Sequence, residues 1–97
     1  MNVKLIRMWS GEDVVADLIK ETDDLVTIAN PIVAVPSQQQ GQIAFAPWSP
    51  ILKERDTQVD VTKRYIVYIA DTQEDIIKQY KSMFTPVAIP PKKKLIL

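Results

Sequence analysis

From Leu25 to Leu52 the chain carries no charged residue over 28 positions. Prolines interrupt this run at 31, 36, 47 and 50, and glutamines stand at 38, 39, 40 and 42. The combination constrains the fold more than any other feature. Its length would suit a membrane span, but four prolines break a spanning helix and the glutamines are costly in hydrocarbon. What remains is a set of short extended pieces: Leu25–Asn30, Ile32–Val35 and Gln42–Ala46, rich in β-branched and aromatic residues. Outward strand faces and sheet edges of monomers normally carry Lys and Glu, which block edge-to-edge pairing. Interface cores are depleted in charge. The charge-free strands therefore predict burial on both faces, against another subunit. The competing reading is a chance run in an exposed Gln-rich hairpin.

The flanking segments extend the β pattern. Met1–Trp9 is apolar and loosely alternating, and Ser10-Gly11-Glu12-Asp13 supplies a turn in which Gly11 is free to take positive φ. Val14–Lys20 alternates well, with Val14, Ala16 and Leu18 on one face. Glu21-Thr22-Asp23-Asp24 makes the next turn, and Pro31 marks a bend or bulge within the third strand. Val59–Ala70 is the last extended run, after a charged loop at Lys53–Asp56. The period then changes. Ile76, Ile77, Tyr80, Met83 and Phe84 fall on one helical stripe, with Asp71 and Glu74 as a candidate capping box. The expectation is a mainly β domain over residues 1–85, with a helix over about 72–84 and a flexible Pro/Lys tail over 86–97. Short loops between the first three strands force antiparallel hairpins. Five strongly twisted strands in so small a chain predict a bent antiparallel barrel.

Several function classes fall away on composition. The 97 residues make one domain. They include no Cys and no His, which removes thiolate chemistry and the commonest general base and metal ligand. With two glycines, at 11 and 41, no phosphate-cradling glycine loop can form. The balance of 12 basic and 12 acidic residues excludes a globally basic polyanion binder but leaves room for a local patch. Carboxylates gather at Glu21-Asp23-Asp24 and at Asp71-Glu74-Asp75 and could hold a divalent cation. A turn and a helix N-terminus explain the same two groups. No serine has a base at a supporting spacing. The expectation is a non-enzyme with no cofactor and no metal. The start of the chain has no signal-peptide core, so a cytoplasmic protein is expected.

The densest basic–aromatic group in the folded part is Lys63-Arg64-Tyr65. Two cations followed by a ring can hold a phosphate and stack a base. The alternative is a solvated bend with Tyr65 in the core. Trp9 and Trp48 could be base platforms, although a tryptophan in a small β protein more often packs in a core or interface. Lys92-Lys93-Lys94 would add salt-sensitive affinity for a polyanion, or serve as a solubilising tail.

Leu5–Leu18 followed by Asp23–Asn30 resembles the first motif of the Sm-like (Sm/LSm/Hfq-type) small β-barrel proteins: an apolar strand, a turn glycine (Gly11), an apolar–small–apolar strand with Ala16 at the bend, an acidic turn and a third apolar strand. Lys63–Ile69 resembles the second motif, a basic bend followed by the closing strand. The resemblance covers residues 4–36 and 58–70, with an unusual loop between Pro47 and Gln58. No Met-Asn pair follows the acidic turn, no Arg-Gly stands in the second motif, and the clear helix is C-terminal. The chain also looks like compact Sm-like proteins of tailed phages, which would place it in the host cytoplasm.

The resemblance implies a five-stranded barrel, assembled edge to edge into a closed homo-oligomeric ring of about five to seven subunits. It implies single-stranded RNA, or else DNA, as the partner. By position it assigns Lys63 and Arg64 to phosphate, Tyr65 to stacking, and Thr27 and Asn30 to the same surface. The oligomer interface would comprise Ile43, Ala44 and Phe45 on one edge and Ile66, Val67 and Tyr68 on the other. The alternative function is structural: an assembly component, for example of a phage, using the same oligomer without nucleic acid.

Overall fold

A computed structural model describes residues 1–36, 43–49 and 57–84. The strands are β1 (Val3–Met8), β2 (Asp13–Glu21), β3 (Leu25–Pro36), β4 (Ile43–Pro47), β5 (Gln58–Thr62) and β6 (Ile66–Ala70). A 3₁₀ turn at Lys63–Tyr65 joins β5 to β6, and helix α1 (Glu74–Phe84) follows. The expected loops around 37–41 and 53–56 and the tail lie outside the described residues.

All pairings are antiparallel, in the order β4-β3-β2-β1-β6, with β5 also on β3. The protein is thus mainly β with one C-terminal helix, as expected. The strand count differs: the described residues form six rather than five, because the run Val59–Ala70 is cut at Lys63–Tyr65. The sheet is also open, since no ladder among the described residues joins its two ends. Both differences have one cause. β5 belongs to the β3 end of the sheet and β6 to the β1 end, so the chain must leave one and reach the other. A three-residue 3₁₀ turn rises only about 6 Å. The two ends of the sheet are therefore brought together by strong curling.

Bulges supply the curl. Between the pairs Val15↔Ile32 and Asp17↔Ala29, β2 advances two residues while β3 uses three. The extra residue lies at Asn30-Pro31, where Asn30 takes φ 50. Asparagine is among the side chains that tolerate this left-handed region. Between Leu18↔Ile28 and Lys20↔Thr27 the extra residue is on β2. Each bulge bends and twists its strand. The first one also divides β3, whose first half pairs with β5 and whose second half pairs with β4.

Alternation along the strands then builds two cores. Ile6, Met8, Val14, Ala16, Val26 and Ile28 fill the inside of the curled sheet, with Val59, Val61, Ile66 and Ile69 against them. Val3, Val15 and Ile32 point outward and are covered by α1 through Tyr80, Ile76, Ile77 and Phe84. The predicted helical stripe is therefore the packed face, although Met83 stays largely exposed. Helix capping differs from expectation. Asp71 pairs with Lys4 Nζ at 2.5 Å, and the helix begins three residues later at Glu74.

Tyr80 is fully buried, and its hydroxyl sits at the β2–β3 bulge. It accepts the Asp17 N–H at 3.0 Å and lies 2.9 Å from both the Ala29 and Asn30 carbonyls. The hydroxyl bonds the backbone of both strands where the bulge bends them. The phenol thus completes the hydrogen bonding of the bend and pins α1 to it.

Candidate nucleic-acid interface

The basic bend is displayed by the crossing from β5 to β6. The Lys63 N–H donates to the Asp24 carbonyl at 2.9 Å, which fixes the 3₁₀ turn against the acidic β2–β3 turn. That contact brings Lys63 Nζ to 2.8 Å from Glu21 Oε2. Arg64 is exposed and makes no ion pair among the described residues. Tyr65 is 60% exposed, so its ring is outside the core. Its carbonyl accepts the Trp9 N–H at 2.8 Å, which sets Trp9, 71% exposed, beside it.

Tyr65 and Trp9 open onto one cleft of about 460 Å³, completed by Trp48, Met8, Ser10 and the β5 segment Val59–Thr62. The cleft follows the seam of the curled sheet, between the outer edge of β5 and the end of β1. Trp48 is half-buried. Its N–H donates to the Pro31 carbonyl at 3.0 Å and its indole N–H to Glu12 Oε1 at 3.3 Å. Ser10 Oγ donates to the same carboxylate oxygen at 2.9 Å. Glu12 therefore ties the wall of the cleft to the β1–β2 turn. In that turn Gly11 adopts φ +93 and donates its N–H to the Met8 carbonyl at 2.9 Å.

The other two candidates lie elsewhere. Thr27 is buried opposite Asp60, and its hydroxyl donates to Asp60 Oδ1 at 2.6 Å. That bond orients a carboxylate at the cleft wall and engages the Thr27 hydroxyl, whose residue is only 9% exposed. Asn30 sits under α1 at the bulge, five residues along β3 from Leu25, or about 17 Å of extended chain from the basic bend. Lys63, Arg64 and Tyr65 are thus brought together, and Thr27 and Asn30 are not beside them. Trp9 and Asp60 join the group instead. Trp9 was legible as a hairpin-turn neighbour, just before Ser10-Gly11. Asp60 had no local signal, because only strand pairing sets it opposite Thr27.

Two other cations of the sheet, Lys4 and Arg7, are already engaged. Arg7 and Asp13 are cross-strand partners joined by two bonds, Nε to Oδ1 at 2.5 Å and Nη2 to Oδ2 at 3.0 Å. The hydrogen bond and charge of Asp13 raise the Arg7 pKa above its ordinary value. Among the described residues no three His, Cys, Asp or Glu side chains gather as a metal site. No described helix is long and apolar enough to cross a membrane.

The proposed interface residues occupy the two ends of the sheet. β6 ends one side, with Val67 53% and Tyr68 45% exposed and Ile66 turned inward against the core. β4 ends the other, with Ala44 exposed and Phe45 half-buried against the α1 side. The Ile43 side chain lies outside the described residues. Val67 occupies a bulge, because Arg7 pairs Tyr68 while Met8 pairs Ile66. No protein-family model matches the chain, and no curated protein matches it.

Proposed function

We propose that this protein is a non-enzymatic binder of single-stranded nucleic acid, RNA in the first place, that works as a closed homo-oligomer. One observation carries the reading: two neighbouring aromatic rings, Trp9 and Tyr65, are more than half exposed on a single cleft, with Arg64, which makes no ion pair among the described residues, next to Tyr65. Large exposed aromatics cost solvation unless they meet a partner. Base faces stack on such rings at about 1–3 kcal/mol each, and a guanidinium adds phosphate contact. Lys63 contributes by exchanging Glu21 for a phosphate.

Assembly follows from the open sheet. Among the described residues, β4 and β6 have no partner on their outer edges, and Ala44 and Val67 set apolar, uncharged side chains there. Pairing β4 of one copy with β6 of the next is a head-to-tail contact, and such contacts form rings when the rotation closes. The barrel-like, Sm-like form of each subunit belongs to this reading, as does a ring of about five to seven copies.

An assembly role without nucleic acid is the second reading. It is favoured by the pairing of Lys4, Arg7 and Lys63 with Asp71, Asp13 and Glu21, which leaves Arg64 as the free cation beside the cleft among the described residues. Native mass spectrometry with and without a short oligouridine at low salt separates the two. A closed oligomer that gains oligonucleotide, and loses it with Tyr65→Ala, supports binding. A closed oligomer that stays bare supports the assembly role. A monomer removes the ring from both.

A further inference from the structure

We propose that Asp60 sets the base preference of the cleft and selects guanine over uracil. The inference rests on the nucleic-acid reading above and deepens it.

Val59, Asp60, Val61 and Thr62 all line the cleft, and Asp60 is exposed. Among the described residues lining the cleft, Asp60 is the one charged side chain. A carboxylate repels phosphate, so it belongs in such a cleft only where a base, rather than the backbone, faces it. It is also held in place. Thr27, its buried cross-strand partner, donates its hydroxyl to Asp60 Oδ1 at 2.6 Å. Oδ2 has no partner among the described residues. A group fixed in advance gives up less freedom on binding than one that must first be ordered.

The chemistry of a carboxylate decides which base suits it. An ionised carboxylate accepts hydrogen bonds and donates none. Two donors on the same cleft, the Ser10 hydroxyl and the Trp48 indole N–H, are both turned to Glu12. In a single strand the Watson–Crick edge of each base is open. Guanine presents two adjacent donors there, N1–H and the 2-amino group, which can meet the two oxygens of one carboxylate. Oδ1 keeps a lone pair for this beside its bond to Thr27. Adenine and cytosine each set one amino group beside an acceptor nitrogen. Uracil has a single N–H between two carbonyls, which a carboxylate repels. Position agrees with chemistry. Two residues of strand, roughly 7 Å, separate Asp60 from Thr62, where the turn that carries Tyr65 begins. A purine stacked on Tyr65 spans a comparable length.

Fluorescence anisotropy on the full chain at one fixed low salt tests this. The probes are four labelled RNA hexamers: hexauridylate, and the same strand with one central guanine, inosine or adenine. The native protein should bind the guanine hexamer at least about five-fold tighter than hexauridylate, the lower end of what a bidentate base contact discriminates. Inosine, which lacks the 2-amino group, should lose most of that advantage. Asp60→Asn keeps an oxygen for Thr27 but turns a donor toward guanine's own donors, so it should abolish the guanine preference. The inosine comparison uses the native chain and stands whatever the variant does to folding. Equal affinity for the guanine hexamer and hexauridylate overturns the assignment and leaves the nucleic-acid reading in place. So does a guanine preference that inosine matches in full or that survives in Asp60→Asn. Failure of all four hexamers to bind the native protein overturns the reading itself, and the assignment with it.

Discussion

Tyr80→Phe isolates the hydroxyl that serves the β2–β3 bulge. The ring is fully buried against Val3, Val15 and Ile32, and phenylalanine keeps that packing, including the contact with Phe84 at 4.7 Å between ring centres. What disappears is the acceptor for the Asp17 N–H and the donor shared by the Ala29 and Asn30 carbonyls. A net hydrogen bond is worth about 0.5–1.5 kcal/mol, and a buried group left unsatisfied costs about 1–3 kcal/mol. Asp17 N–H is only partly buried, so water recovers part of its loss. Together these give a destabilisation of about 2 kcal/mol. For a domain of this size that lowers Tm by roughly 10 °C. The assay is urea unfolding followed by circular dichroism at one fixed protein concentration, because the proposed assembly would couple to stability. The midpoint should fall with the m-value unchanged. Tyr80→Ala should cost several kcal/mol more, because it also opens a cavity. A Tyr80→Phe effect below about 0.5 kcal/mol would refute the role assigned to the hydroxyl.

Asn30→Val forces a β-branched residue into φ 50 and should cost about 1–3 kcal/mol in the same unfolding assay, while Asn30→Gly, which accepts that φ, should cost less. Ala44→Glu sets a charge on the exposed face of β4 and should convert the proposed oligomer to monomer by native mass, with the far-ultraviolet spectrum retained. Arg64→Ala should weaken oligonucleotide binding more than Lys63→Ala, because Lys63 must first give up Glu21, and it should lower the salt slope by about one per occupied subunit. Tyr65→Ala should weaken the same binding roughly 5- to 150-fold through lost stacking, with the native mass unchanged.

The β character of the chain was readable locally. Alternation at Val14, Ala16 and Leu18 names the inner face of β2, and the stripe Ile76, Ile77, Tyr80, Phe84 names the packed face of α1. Pro31 and the turn at Gly11 were equally legible, because φ preferences are properties of single residues. The exposed bend at Lys63–Tyr65 was legible as a basic–aromatic group beside a strand. Other features were not local. Pro31 announces a break, but its consequence, a bulge whose backbone is served by Tyr80 fifty residues away, depends on which strand lies opposite. The cut between β5 and β6 depends on the two halves pairing at opposite ends of the sheet. Thr27 and Asn30 look available in the sequence, yet register turns one to Asp60 and sets the other beneath the helix. Sequence periodicity decides which residues leave water, since burial on one face of a strand needs only alternation. Tertiary structure decides which polar groups meet, because hydrogen bonds are directional and short, and only register and curling bring their two ends together.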